Sequence, residues 1–190
     1  MHETFVLASG SPRRHELLAL ARVPHIVDVP EIDETALPGE LPDIYVARLA
    51  RAKAGAVAAR HPECWTIGAD TVVVVDGHIV GKPRDIVEAE EMLETLAGRR
   101  HEVITAVALV HGSEIKERSS TTSVWMRPFD REIVRSYLAT GEPMDKAGAY
   151  AVQGVGALLV DRVDGDFFTV MGLPLDAVIE MLRSVGFGAV

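Results

Sequence analysis

Cysteine is almost missing: Cys64 is the single thiol in 190 residues. It has no partner for an intrachain disulfide and cannot build a multi-thiolate metal site. That favours a reducing compartment and leaves oxygen or imidazole ligands for any metal. Long apolar runs are missing too. The longest, Val103 to Val110, falls far short of the roughly 20 residues that a membrane helix needs. The start, Met1-His2-Glu3, lacks the basic opening of a secretory signal. The expectation is a cytoplasmic protein with no membrane partner. Aromatic residues make up only 5% and form none of the patterns by which RNA-binding sheets stack bases, which counts against an RNA-binding module. Positive charge is in deficit, 19 basic against 28 acidic side chains for a formal charge of −9. A duplex nucleic acid partner is therefore not expected, because such binding draws its affinity from phosphate neutralisation.

What remains is 48% apolar and 25% charged, the composition of one globular domain able to bury roughly 70% of its unfolded surface. Thr4 to Ala8 reads as a short buried strand. Ser11 suits the cap and Pro12 the first position of a helix running on to about Ala21. Arg13 and Arg14 fall in its first turn, where cations oppose the helix dipole, so they are either a solvated pair or a site for an anion. A strand at His25 to Val29 precedes a loop with Glu34 and an alanine-rich helix over about Asp43 to Arg60. The spacing of Val46, Leu49, Ala50 and Ala54 marks the buried face of that helix and leaves Lys53 as a solvated lysine.

Cys64 to Ile67 and Thr71 to Val75 read as strands flanking Gly68-Ala69-Asp70. Asp76-Gly77 turns a hairpin into Ile79-Val80. Asp70 sits among apolar residues, where a bare carboxylate costs several kcal/mol, so it needs a cation, a metal or several donors. Asp85 with Glu88 opens a helix that stops at Gly98. Val103 to Val110 and Ser119 to Met126 are strands, and Asp130 caps a helix ending before Gly141. Leu158 to Val163 and Phe167 to Val170 read as a third hairpin around Asp164-Gly165, and Leu175 to Val185 as a closing helix. Strands and helices alternate with no linker or repeat, which predicts one α/β unit with a mixed, twisted sheet.

The familiar nucleotide and hydrolase motifs are absent: no Walker A loop, no GxGxxG, no HExxH and no GxSxG. The seven histidines show no ligand spacing. What assembles is a pair of carboxylates, Glu34 and Asp70, with the cations Arg13, Arg14, Lys53 and Lys82. Phosphoryl transfer needs such a set, with positive groups where charge gathers and a carboxylate to hold a metal or orient water.

The blocks LASGSPRR at Leu7 to Arg14, GADT at Gly68 to Thr71, GKPRD at Gly81 to Asp85, DKAGAYAVQG at Asp145 to Gly154 and GLPL at Gly172 to Leu175 resemble the Maf family of nucleoside triphosphate pyrophosphatases. The resemblance spans residues 4–185 as one domain. It implies an elongated α/β/α sandwich with a mixed sheet, two lobes and a central cleft, similar to inosine triphosphate pyrophosphatases. It also implies cleavage between the α and β phosphates with a divalent cation (Mg2+, Mn2+ or Co2+), in a cytoplasmic homodimer. Carried onto this chain, the resemblance makes Asp70, Lys53 and Lys82 the catalytic set. Asp70 is then proton acceptor, metal ligand with Glu34, or both. Ser9, Arg13, Arg14, Thr71 and Gln153 are expected to bind substrate. The pyrimidine branch of the family reads SPRR, DT and QG where the 7-methylguanosine branch reads SPWR, DQ and EG, so Arg13, Thr71 and Gln153 imply dTTP and UTP, standard or modified. The alternatives are 7-methyl-GTP as substrate, or a nucleotide-binding regulator of septum formation. Tyr150 either stacks on the base or belongs to the core.

Overall fold

A computed structural model describes residues 4–188. Its strands are β1 (Phe5–Ala8), β2 (His25–Val27), β3 (Thr66–Val75), β4 (His78–Val80), β5 (Arg100–His111), β6 (Glu114–Met126) and β7 (Val160–Asp164). Its helices are α1 (Pro12–Leu20), α2 (Pro42–Ala58), α3 (Ile86–Leu96), α4 (Arg131–Leu138), α5 (Phe167–Met171) and α6 (Leu175–Arg183). The strands form one seven-stranded sheet in the order β2-β1-β3-β5-β6-β7, with β4 paired to β3. It is mixed, as the sequence predicts: β1 runs parallel to β2 and β3, whereas β3–β4 and β6–β7 are antiparallel. The parallel pairs require the crossovers that α1 and α2 supply. No helix among the described residues is long and apolar enough to cross a membrane.

Two elements differ from the sequence reading. Strand β3 runs unbroken from Thr66 to Val75, where Gly68-Ala69-Asp70 was expected to interrupt it. Gly68 is paired in register with Ala8, and its glycine answers to packing: a Cβ there would stand 2.6 Å from the backbone nitrogen of Ala54 and press on the Ala50 carbonyl. The second arm of the expected third hairpin, Phe167 to Val170, is not a strand but part of helix α5. Its aromatic and β-branched composition favours a strand, but the Asp166 carboxylate accepts hydrogen bonds from the Phe168 and Thr169 amides at 3.0 and 2.9 Å. That cap starts a helix.

The chain groups into two compact units, residues 1–70, 105–120 and 172–190 in the first and 71–104 and 121–171 in the second. The first is built on Phe5, Leu7, Leu18, Leu49, Ile67 and Leu182, all fully buried. The second packs Val73, Leu93, Leu96, Val103, Val124 and Tyr137 into one cluster. Within it His101 and Tyr150 are buried, the imidazole Nε2 lying 2.7 Å from the phenol oxygen. Burial lowers the His101 pKa to about 4 and raises that of the Tyr150 phenol, so both are neutral near pH 7. Tyr150 is thus a core residue and no stacking platform.

Candidate active site

Ser9 follows β1 directly and is buried. Its hydroxyl oxygen accepts hydrogen bonds from the Ser11 amide and from Arg14 Nη1, each at 3.2 Å. Ser11 holds the N-cap position of α1, but its side chain makes no cap bond, and Pro12 opens the helix. Arg14 Nε donates to the Gly172 carbonyl at 2.8 Å, which ties the GLPL segment to the first helical turn. Gly172 has φ +103, a conformation that a side chain would strain. Burial lowers the Arg14 pKa, Asp70 and Glu34 raise it and Arg13 lowers it; a guanidinium stays charged through all of this. The unfavourable placement of an arginine pair at a helix start is therefore partly offset by the chain's own carboxylates.

Lys53 is not solvated, as periodicity alone suggests, but buried on α2. The close approach of α2 to Gly68 accounts for this. Ala50 and Ala54 lie against Gly68, one strand period before Asp70, so Lys53, between those alanines on the helix, meets the carboxylate. Its Nζ donates to Asp70 Oδ1 at 2.6 Å and lies 2.9 Å from Glu34 Oε1. Asp70 is 7% exposed. Burial pushes its carboxyl pKa up, Lys53 and Arg14 pull it down, and Glu34 pushes it up again. A buried carboxylate with that balance is a stronger base than a surface aspartate.

Glu34 sits on the loop before α2, and residues to which the sequence alone assigned no site role hold that loop. The Tyr45 hydroxyl donates to the Glu34 carbonyl at 2.9 Å. Arg48 makes a bidentate pair with Glu40 at 2.6 and 2.7 Å and donates to the Thr35 carbonyl at 3.1 Å. The Glu40 carboxylate also accepts from the Leu37 amide at 3.0 Å. Arg48 holds the Glu40 pKa down at about 2. Helical spacing of Tyr45 and Arg48, one turn apart, was the only available signal for this latch.

The structure thus brings Ser9, Arg14, Glu34, Lys53 and Asp70 together in the first unit. Arg13, half-buried in the first turn of α1, lies in the field of Arg14. The remaining expected residues belong to the second unit. Thr71 is half-buried in β3, Lys82 is exposed in the loop after β4, and Gln153 is half-buried in a bend. That bend is well defined: Glu142 accepts from the Gly156 amide at 2.9 Å, and a Cβ on Gly154, at φ +83, would run into the Glu142 carboxylate. Among the described residues no group of three or more His, Cys, Asp or Glu side chains is placed to hold a metal. Glu34 and Asp70 nevertheless converge on a single cation, the Lys53 ammonium. Two hard carboxylates suit a magnesium-class ion that takes its other ligands from phosphate and water.

The Maf-like protein family matches residues 4–185. A dTTP/UTP pyrophosphatase of Symbiobacterium thermophilum is 49% identical over 97% of this chain and 95% of its own length. The dTTP/UTP pyrophosphatase of Bacillus cytotoxicus is 45% identical over 97% of each chain. Among solved structures, the Ham1 protein of Staphylococcus aureus superposes with a TM-score of 0.54 over 96% of this chain and 99% of that one, at 14% identity. That likeness is one of fold.

Proposed function

We propose that this chain, which belongs to the Maf-like protein family, hydrolyses dTTP and UTP, standard or modified, to the monophosphate and pyrophosphate. The observation that carries the reading is the buried Lys53–Asp70 pair at 2.6 Å with Glu34 on the same ammonium. A protein that only senses a nucleotide has no use for a basic carboxylate beside a polyanionic substrate. Asp70 accepts the proton of the attacking water, its basicity raised by burial. Arg14, fixed by Ser9 and Gly172, offsets negative charge on the phosphates, with Arg13 and Lys53 adding to it, and Lys82 is a further catalytic cation. The Ser9 hydroxyl and the amides at the start of α1 bind phosphate oxygens.

Glu34 and Asp70 are the residues that would hold a divalent cation, Mg2+, Mn2+ or Co2+. When bound, such an ion supplies Lewis-acid polarisation of phosphoryl oxygens. Gln153 presents both a donor and an acceptor, the pattern that the O4 and N3–H edge of thymine or uracil requires. Arg13 and Thr71 side with the same base class. The names of the relatives support this choice over 7-methyl-GTP.

The test is a panel of dTTP, UTP and 7-methyl-GTP with magnesium, manganese or cobalt, scored for pyrophosphate against orthophosphate. Pyrophosphate released preferentially from dTTP and UTP is the expected result. Orthophosphate as the product, or a preference for 7-methyl-GTP, overturns the reading.

A further inference from the structure

The Lys53 ammonium stands between Asp70 Oδ1 and Glu34 Oε1, at 2.6 and 2.9 Å, and it is buried. Those oxygens belong to the two carboxylates that the proposed function gives to a divalent cation. An ammonium and a divalent ion in contact with the same carboxylates repel each other strongly in a medium that screens poorly. The lysine must therefore leave before the ion settles. Leaving is easy in one sense, because four rotatable carbons carry the charge. It is costly in another, because a buried ammonium needs a new anionic partner.

We infer that Lys53 holds the divalent-cation position in the nucleotide-free protein and hands it over only when a triphosphate arrives to receive the ammonium. The inference rests on the proposed nucleotide site. Its content is an order of events: the free protein binds the metal weakly, and metal and triphosphate raise each other's affinity. Linkage makes that coupling reciprocal. Lys53 then has two successive partners, the carboxylates before binding and phosphate oxygens after it. The pair Glu34 and Asp70 keeps a cation in contact throughout, so Asp70 is never a bare buried charge. A device of this kind also keeps the ion from binding without substrate.

The experiment is Mn2+ binding to the nucleotide-free protein, followed by the electron paramagnetic resonance signal of free Mn2+. The wild-type protein should bind weakly. Lys53→Met, which keeps the stem and removes the charge, should bind one Mn2+ per chain at least about tenfold more tightly. Adding Glu34→Gln to Lys53→Met should abolish the gain, which assigns it to this site. Lys53→Gln serves as a second neutral variant and should show the same gain. Unchanged or weaker Mn2+ binding in the neutral variants overturns the inference. So does micromolar Mn2+ binding by the wild-type protein alone, whether or not the variants fold. These readings need no nucleotide, so the substrate assignment can fail in the pyrophosphate panel while the metal result stands, and the reverse.

Discussion

Asp70 and Lys53 show what a single residue owes to its surroundings. In the sequence, an aspartate amid valines announces a need for a partner, but nothing in the spacing of α2 names that partner. The lysine is identified only when Gly68 admits the helix backbone to within 2.6 Å of where a side chain would stand. The chemistry of Asp70 follows from the same burial. In the proposed role of proton acceptor it must be ionised, and its pKa lies above the ordinary carboxylate value because burial penalises the charge. The rate at low pH should therefore fall in proportion to the ionised fraction of Asp70, with the acid limb of kcat/KM displaced upward from about pH 4. Asp70→Asn should lower turnover by about 10² to 10⁴ and erase that limb, while circular dichroism remains that of the parent. Turnover within threefold of the parent, or an acid limb that persists in the variant, would remove Asp70 from the base role.

At the scale of elements, the legible parts were those with local punctuation. Pro12 at the start of α1, Asp85 accepting from the Glu88 amide at the start of α3, and Asp130 accepting from the Glu132 and Ile133 amides at the start of α4 all act within a few residues of themselves. The capping box at α3 is only half made, since the Glu88 carboxylate takes the Arg84 amide at 2.7 Å. What periodicity missed was tertiary in origin in two places, the continuity of β3 through Gly68 and the loop latch around Glu34; in a third, the local cap at Asp166 starts a helix where the aromatic and β-branched composition favours a strand. The latch yields a prediction of its own. The Arg48–Glu40 pair lasts wherever Glu40 is ionised; with its pKa held at about 2, the contribution of the pair is present above the unfolded carboxylate value and lost as pH falls toward 2. Assays near neutrality therefore find the loop fastened. Arg48→Gln should unfasten it and let Glu34 drift. The concentration of Mn2+ giving half-maximal rate should then rise about tenfold, the cost typical of losing a group that orients a metal ligand, with KM for dTTP nearly unchanged. Arg48→Lys should not rescue it, because an ammonium cannot reproduce the fork that grips both Glu40 oxygens. An unchanged Mn2+ requirement would show that Glu34 does not depend on the latch.

Over the whole molecule, the division into two compact units falls three times within strands, between Asp70 and Thr71 in β3, Ile104 and Thr105 in β5, and Ser120 and Thr121 in β6, and once at the end of α5, between Met171 and Gly172. A boundary between independent domains ordinarily falls in an exposed linker crossed by few contacts, and a strand is the opposite of a linker. We therefore expect the chain to unfold as one cooperative domain over residues 4–185, the span that matches one family. The protein carries its own reporters for this: of its two tryptophans, Trp65 lies in the first unit and Trp125 in the second. The Trp65 ring packs beside His111 at 5.1 Å between centroids; Arg162 lies 3.9 Å over the Trp125 ring. Each indole therefore has a defined neighbour to lose on unfolding. Urea titrations of Trp65→Phe and Trp125→Phe, each followed by the remaining indole, should give midpoints that agree once each is referred to the far-ultraviolet circular dichroism transition of the same variant. Coincidence of probes is the signature of a two-state domain. An indole transition displaced from the circular dichroism transition in either variant would mean that the strands do not couple the units, and that residues 4–185 unfold as two domains.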